Sequence, residues 1–178
     1  MKIEPTNPCN VFLIGYRCTG KTSVGKSLSA KLGWPLIDTD TLLVSDSGQS
    51  IKEIVETRGW QTFRNIEHAI VERVCDLDRQ IVATGGGVVL SAANVQLMQQ
   101  SGRLVWLRAK PETIKRRMTQ DTDTEAFRPA LTAKDSIAEI EETLLEREPY
   151  YRQAMDFSVD TDDRQIEEIC EIIVQNLP

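Results

Sequence analysis

The chain has 178 residues, of which 40% are hydrophobic and 27% are charged, as expected for one globular domain with a sizeable core. Its formal net charge of −6 and pI of about 4.9 disfavour a general nucleic-acid-binding protein, because such proteins carry a basic face. Four scattered cysteines without C-x-x-C pairs indicate a reduced, cytoplasmic protein, and neither a signal peptide nor a membrane span is predicted.

The first predicted strand, at 10–14, leads into a glycine-rich loop. Residues 15–22 read GYRCTGKT and match the G-x-x-x-x-G-K-[ST] pattern, and a periodic helix is predicted over 21–32, before Gly33. In this setting the backbone N–H groups of the loop and the helix N-terminus converge on phosphate oxygens. Lys21 is expected to reach the β- and γ-phosphates of a nucleoside triphosphate, and the Thr22 hydroxyl to bind Mg²⁺.

Strands and helices alternate along the rest of the chain. Further strands are predicted at 35–38, 81–84, 104–107 and 157–160, and helices at 50–59, around 66–77, and at 91–100, 111–118, 137–149 and 166–177. Ser50 and Glu53 have the form of a capping box, and Pro149 is expected to end or bend its helix. The alternation predicts an α/β fold with a parallel sheet that is covered on both faces.

Three of the predicted strands end in residues that suggest chemistry, and in such sheets ligands bind beyond the carboxyl ends of the strands. These ends carry the phosphate loop, the sequence Asp38-Thr39-Asp40, and three glycines at 85–87. One aspartate would support the Mg²⁺ shell while the other accepts or orients the proton of a substrate hydroxyl. Alternatively, Asp40 only caps a helix that starts at Thr41. The glycines permit positive φ and close approach to a ligand, or they form only a flexible turn.

Three arginines are open to two interpretations. Arg64 and Glu67, at i and i+3 on one helix, form either an exposed pair or a buried arginine whose fork grips a carboxylate. Arg147 has the same ambiguity within a charged run. Arg128 lies in the polar segment after 118, which is either a plain solvated loop or a closing segment that brings this cation to the transferred phosphoryl group. His68 is expected at the surface or half-buried.

Together these features resemble shikimate kinase, a family of the nucleoside monophosphate kinase-like group. The resemblance extends from about Asn10 to the C-terminal helix, and its motifs appear in order: the phosphate loop, Asp38-Thr39-Asp40, FRxxE at 63–67, ATGGGVV at 83–89, Arg128-Pro129, and RxPxY at 147–151. It implies a three-layer α/β/α fold in which a five-stranded parallel sheet has the order 2-3-1-4-5. A helical substrate-binding segment is implied at about 34–64, and a lid at about 119–130.

The resemblance implies ATP-dependent phosphorylation of the 3-hydroxyl of shikimate, a step in chorismate and aromatic amino-acid synthesis. It also implies a monomer that uses Mg²⁺, while composition and charge predict a cytoplasmic protein that binds neither nucleic acid nor membrane. The implied catalytic residues are Lys21, Asp40 and Arg128. The implied ATP contacts are Gly15, Cys18, Thr19, Gly20, Lys21, Thr22, Ser23, Arg117 and Arg128, with Arg117 against adenine and the turn after Asp160 completing the base pocket. The implied shikimate contacts are Asp40, Arg64, Gly85, Gly86, Gly87 and Arg147, and the implied Mg²⁺ residues are Thr22 and Asp38.

The sequence departs from the family pattern in three places. The family usually has glycine where this chain has Cys18, and a Cβ there costs about 1 kcal/mol if the loop needs positive φ. The lid carries three acidic residues, at 121, 123 and 125, and is longer than usual. Residues 1–8 have no counterpart and are expected to be a disordered extension.

Three alternative functions stay open on the sequence. A gluconate kinase on the same scaffold typically has Asp-Gly-Asp in place of Asp38-Thr39-Asp40 and lacks the triple glycine. A nucleotide kinase would need an acceptor site that selects a base. A catalytically silent regulator would be expected to have lost Lys21, Asp40 or Arg64, and this chain retains all three.

Overall fold

A five-stranded parallel sheet lies at the centre of the protein in the computed structural model, which describes residues 10–120 and 137–177. The strands are β1 (Asn10–Ile14), β2 (Leu36–Asp38), β3 (Ile81–Ala83), β4 (Gly102–Arg108) and β5 (Phe157–Asp160). Their order across the sheet is β2-β3-β1-β4-β5, and every neighbouring pair is parallel. The order 2-3-1-4-5 implied by the resemblance is therefore confirmed.

Helices connect the strands, as the alternating pattern predicts. They are α1 (Lys21–Leu32), α2 (Thr39–Ser47), α3 (Ile51–Cys75), α4 (Ala92–Ser101), α5 (Pro111–Gln120), α6 (Ile137–Ala154) and α7 (Ile166–Gln175), with a short 3₁₀ turn at Val88–Leu90. Ser50 and Glu53 form the predicted capping box at the start of α3. Gly59 has φ 81° and ψ 164°, so α3 consists of two helical segments that meet at the predicted break.

Apolar side chains of β1 point alternately to the two faces of the sheet. Val11 and Leu13 belong to a cluster formed with α1 and α7, whereas Phe12 and Ile14 belong to a second cluster formed with α2, α3, α4 and α6. Because every residue of β1 is buried, this strand lies at the centre of both clusters. The predicted three-layer α/β/α arrangement is confirmed.

The start of α2 contradicts one predicted alternative, and of the two effects predicted for Pro149 the end of the helix does not occur. Helix α2 begins at Thr39, because the Asp38 side chain accepts hydrogen bonds from the backbone N–H of Asp40 (3.1 Å) and of Thr41 (3.2 Å). The capping alternative for Asp40 is therefore wrong, and Asp38 is the cap. Helix α6 continues through Pro149 to Ala154 instead of ending there. The missing N–H leaves the carbonyl of Leu145 without its helical donor, but Leu145 is 70% exposed and water can replace that donor.

Several predictions concern residues outside the described part of the chain. These residues are 1–9, 121–136 and 178, and they include the expected extension at 1–8, the acidic lid positions and Arg128. Helix α5 runs through Thr119 and Gln120, so the first two residues assigned to the lid are helical. Within the described ranges, every helix is too short or too polar to cross a membrane.

Candidate active site

The phosphate loop joins β1 to α1 at the carboxyl edge of the sheet. Gly15 has φ 145°, and a Cβ at this position would collide with the carbonyl of Leu107 and lie 3.0 Å from the Thr19 hydroxyl. Gly20, with φ 98°, is the N-cap of α1. The glycines of the motif therefore allow the loop to turn tightly against the end of β4 and direct its N–H groups outward.

Lys21 lies at the centre of this loop, where it is almost fully buried. Its Nζ donates hydrogen bonds to the carbonyls of Gly15 (2.8 Å) and Tyr16 (2.7 Å). The Thr19 hydroxyl donates to the same Tyr16 carbonyl at 2.8 Å. These bonds fix the ammonium beside the loop N–H groups, where phosphate oxygens would be bound.

A cavity of about 520 Å³ adjoins the loop and suits a nucleotide. It is lined by seven of the predicted ATP contacts, namely Cys18, Thr19, Gly20, Lys21, Thr22, Ser23 and Arg117. Gly15 does not line this cavity, and its carbonyl accepts a hydrogen bond from Lys21. The turn after Asp160 contributes Thr161 and Arg164, and Thr84 at the end of β3 adds a further polar group that the sequence did not indicate.

Thr22 and Asp38 meet at the edge of this cavity, where the Thr22 hydroxyl donates to Asp38 Oδ2 at 2.9 Å. A hydroxyl and a carboxylate at the end of a phosphate loop suit Mg²⁺, which takes few protein ligands and completes its shell with phosphate oxygens and water. No cluster of three or more His, Cys, Asp or Glu residues that could hold a metal occurs in the described ranges. The residues present therefore fit a nucleotide-associated ion rather than a site made only of protein ligands.

Cys18 adopts the left-handed conformation, with φ 59°. Because φ is positive here, the Cβ of Cys18 is strained, at the cost of about 1 kcal/mol given above. Its carbonyl accepts a hydrogen bond from Arg117 Nη1 at 3.2 Å, and Arg117 also donates to the hydroxyl (2.9 Å) and the carbonyl (2.8 Å) of Thr161. Arg117 thus ties the phosphate loop to the turn after β5, an arrangement that its predicted place against adenine did not include.

A second pocket lies on the other side of the phosphate loop, and all six predicted acceptor contacts line it. They are Asp40, Arg64, Gly85, Gly86, Gly87 and Arg147. The walls also contain Tyr16, Arg17, Ile51, Trp60 and Phe63, which the sequence analysis did not assign. Trp60 and Phe63 lie one turn apart on α3, just before Arg64, and this spacing is the signal that could have identified the apolar wall.

Arg64 and Glu67 form a partly buried ion pair in this pocket. Arg64 Nη1 lies 2.6 Å from Glu67 Oε2, and the exposed fractions of the two side chains are 27% and 3%. Burial raises the pKa of Glu67, while the nearby Arg64 guanidinium opposes that shift. Of the two interpretations of this pair, the arginine held by a buried glutamate is therefore the one that the fold supports.

The three glycines make room for side chains rather than adopting unusual backbone angles. None of residues 85–87 uses the positive φ that glycine permits. A Cβ on Gly87 would collide with the Arg64 guanidinium, whose Nη1 lies 3.0 Å from that position. A Cβ on Gly85 would lie 2.9 Å from Asp40 Oδ1 and 3.0 Å from Glu67 Oε1. The absence of Cβ atoms therefore lets the charged groups of the pocket reach the sheet edge.

Two residues of α6 and one residue of α2 form hydrogen bonds with the glycine segment at 85–87. Tyr151 Oη donates to the Gly86 carbonyl at 2.6 Å, and Arg147 Nη1 approaches the same oxygen at 3.4 Å. Burial raises the pKa of Tyr151, so its hydroxyl stays protonated as a donor. The Gly85 N–H donates to the Thr39 hydroxyl at 3.1 Å. The roles of Tyr151, in the RxPxY motif, and of Thr39, between the two aspartates, were not predicted.

His68 lies outside both cavities. It is half-buried on α3, where Nδ1 contacts Asn94 and Nε2 lies 3.7 Å from Glu72 Oε1. The expectation of a surface or half-buried role is confirmed.

The sheet order and the two cavities on either side of one phosphate loop define the class of the protein. It is a phosphate-loop kinase with a second, small cavity in which arginines lie beside an aspartate, a set of charges that suits a small acidic molecule. The family model described as shikimate kinase matches residues 17–178. The chain therefore belongs to the shikimate kinase family.

Individual relatives agree with this assignment. The chain is 40% identical to the shikimate kinase of Caldanaerobacter subterraneus subsp. tengcongensis over 166 residues, covering 93% of this chain and 94% of the relative. The Acinetobacter baumannii shikimate kinase in complex with shikimate superposes with a TM-score of 0.86 at 28% identity, covering 94% of this chain and 91% of the other. The shikimate kinase of Bacteroides thetaiotaomicron gives a TM-score of 0.85 at 29% identity, with coverages of 94% and 97%.

Proposed function

We propose that this protein transfers the γ-phosphoryl group of ATP to the 3-hydroxyl of shikimate. The observation that carries the proposal is the acceptor pocket, in which the Arg64–Glu67 pair, Arg147 and Asp40 line one small cavity beside the phosphate loop. A carboxylate-bearing alcohol fits these groups, because arginine forks bind a carboxylate in two-point fashion and an aspartate can accept a hydroxyl proton. The product, shikimate 3-phosphate, belongs to chorismate and aromatic amino-acid synthesis.

Within this proposal, Arg64 and Arg147 bind the shikimate carboxylate. Asp40 orients the reacting hydroxyl and accepts its proton, and residues 85–87 form the floor of the pocket. Glu67 is a positioning residue, because its carboxylate holds Arg64 at 2.6 Å and stays away from solvent. The pocket of about 80 Å³ is much smaller than the nucleotide cavity, which favours a compact acid over a nucleotide as acceptor.

On the nucleotide side, the loop residues and Arg117 bind ATP, and Lys21 stabilises charge on the transferred group. Thr22 and Asp38 would hold Mg²⁺, Asp38 through water, and the ion would neutralise phosphate charge when bound. Lys21, Arg117 and Arg164 supply local positive charge in a chain whose net charge is −6. Arg128, from the lid expected at about 119–130, would add a further cation over the phosphates.

The proposal extends to the organisation of the chain. Residues 1–178 form a single kinase domain in which about 34–64 is the substrate-binding segment. The protein acts as a monomer in the cytoplasm, with shikimate and ATP as its partners and neither nucleic acid nor membrane among them. The acidic composition and the family resemblance support these statements.

The experiment measures ADP release from Mg²⁺-ATP with shikimate, with gluconate and with neither. Stimulation by shikimate alone is expected, since gluconate lacks the ring that the apolar wall of Trp60 and Phe63 would contact. Stimulation by gluconate alone would replace the acceptor assignment with the related sugar-acid kinase. ATP binding without turnover on either acid would support the silent-regulator alternative.

A further inference from the structure

A third arginine, Arg17, lines the acceptor pocket together with Arg64 and Arg147. Arg17 belongs to the phosphate loop, and the loop divides at this point. Tyr16 and Arg17 face the acceptor pocket, whereas Cys18 and the residues after it face the nucleotide cavity. Arg17 is thus the pocket arginine that is nearest in the chain to the groups that bind the triphosphate.

The Tyr16 ring supports Arg17 from the protein side. The Arg17 guanidinium carbon lies 5.9 Å from the centre of this ring, and the Arg147 guanidinium carbon lies 5.8 Å from the same centre. Tyr16 itself is 2% exposed, so the ring is a fixed surface for both cations. On the other side, the backbone N of Arg17 lies 3.4 Å from the position that a Cβ on Gly86 would occupy. The backbone of the loop at Arg17 therefore lies beside the pocket floor at Gly86.

Arg17 can supply a positive charge that the groups already assigned in the acceptor pocket do not supply. Arg64 is paired with Glu67 and, with Arg147, is already assigned to the substrate carboxylate. Phosphoryl transfer then brings a group of charge about −1.5 to −2 into the acceptor pocket. Asp40, which lines the same pocket, adds negative charge beside the reacting hydroxyl. A cation on the acceptor side of the loop would stabilise this charge where it develops.

We propose that Arg17 is a catalytic residue that binds the phosphoryl group as it arrives on the acceptor, in the transition state and in the product. This rests on the proposed function. In the step, the 3-hydroxyl oxygen forms a bond to the γ-phosphorus, and the bond from that phosphorus to the β,γ-bridging oxygen breaks. The electron pair of the broken bond stays on ADP, and the hydroxyl proton passes to Asp40. Arg17 donates hydrogen bonds to the moving phosphoryl oxygens from the acceptor side, opposite Lys21.

The competing role is that Arg17 is a third ligand of the substrate carboxylate. The two roles differ in what they do to ground-state binding. A carboxylate ligand contributes equally to the binding of shikimate and shikimate 3-phosphate, whereas a phosphoryl ligand contributes only to the product and to the transition state.

The test compares wild type, Arg17→Gln, Arg17→Lys and the control Arg79→Gln. Arg79 is an exposed residue in the loop before β3, so its variant removes the same charge far from both cavities. For each protein kcat and both KM values are measured, and the Kd values of shikimate and shikimate 3-phosphate are measured by calorimetry without nucleotide. Thermal melting checks that each variant is folded. If Arg17→Gln does not fold, Arg17→Lys, which keeps the charge, is used for the comparison in its place.

Arg17→Gln is expected to lower kcat and the affinity for shikimate 3-phosphate by about 10- to 100-fold each, as for a lost charge-assisted hydrogen bond. The Kd of shikimate should stay within about twofold of wild type, and Arg17→Lys should retain part of the activity. Equal losses of affinity for shikimate and its phosphate, a loss confined to ATP, or kinetics equal to those of Arg79→Gln would each overturn the proposal. A wild-type protein inactive on shikimate would instead overturn the proposed function.

Discussion

The two cavities of the site are built from different parts of the chain. The nucleotide cavity takes a contiguous run of the phosphate loop and the start of α1, at 18–24, where glycine and Lys21 fix the backbone, together with separate residues from the ends of β2 and β3, from α5, from the turn after β5 and from α7. The acceptor pocket takes side chains from the phosphate loop, α2, α3, α6 and the residues after β3. Substitutions on the acceptor side should therefore change the handling of shikimate through single groups and leave ATP binding unaffected.

The largest expected effect is that of Asp40→Asn. The amide cannot accept the hydroxyl proton, so kcat should fall by about 10²- to 10⁴-fold while the KM for ATP stays close to wild type. Steady-state kinetics with varied ATP and varied shikimate measure both. Asp76→Asn, which removes the same charge from an exposed position at the end of α3, is the control. A large loss of ATP affinity in Asp40→Asn would move Asp40 to the metal side of the site.

Arg64→Lys is expected to act next most strongly. An ammonium cannot form the two-point contact of a guanidinium, so the KM for shikimate should rise by about 10- to 100-fold with little change for ATP. Arg73→Lys on the same helix is the matched control, because Arg73 is exposed and pairs with Asp46 outside the pocket. Unchanged shikimate affinity in Arg64→Lys would contradict the carboxylate clamp.

The same difference between the cavities decides what could be predicted from the sequence. The loop pattern defines a backbone conformation, so Lys21 and Thr22 were assigned to the nucleotide from spacing and local setting. The pocket depends on burial, which spacing does not encode. The i, i+3 pair of Arg64 and Glu67 would look the same on an exposed helix, and only the fold shows Glu67 buried under the pocket. The family resemblance supplied what the spacing left open.

Local capping chemistry explains the remaining errors. The sequence offers two aspartates that could start a helix, and the choice of Asp38 depends on where β2 ends, which a three-residue strand does not reveal. The need for glycine at 85 and 87 comes from packing rather than from positive φ, because charged side chains from α2 and α3 occupy the space that Cβ atoms would fill. Neither fact is contained in local sequence.

Gly87→Ala tests the acceptor side through space rather than charge. The added methyl would push the Arg64 guanidinium away from the pocket floor, so shikimate affinity should fall by about tenfold. This loss is smaller than the one expected when Arg64→Lys removes the two-point contact. Gly86→Ala is the graded control, since its Cβ would lie 3.4 Å from its nearest neighbours and needs only a slight adjustment. Isothermal titration with shikimate measures both variants. Equal effects would mean that the segment tolerates no side chain at all, and the specific contact with Arg64 would lose its support.

The smallest expected effect concerns the free energy of unfolding rather than catalysis. Burial raises the folded-state pKa of Glu67 above the ordinary value of 4.5, against the opposing influence of Arg64. Below pH 4.5 the carboxyl is protonated in both states, and as the pH rises through the folded-state pKa the protein must ionise a buried group. Wild type should therefore lose stability relative to Glu67→Gln over this window, by about 1.4 kcal/mol for each unit of pKa elevation.

Urea unfolding of wild type and Glu67→Gln between pH 4 and pH 8 measures this difference, and Glu72→Gln on the exposed face of the same helix corrects for general charge effects. A stability difference that moves the opposite way would mean that the attraction to Arg64 outweighs burial, so that the ion pair itself stabilises the fold. The expected sign instead means that the burial of Glu67 destabilises the free protein, while its carboxylate holds Arg64 in position for the acceptor. No residue of the nucleotide loop is predicted to have such a destabilising role.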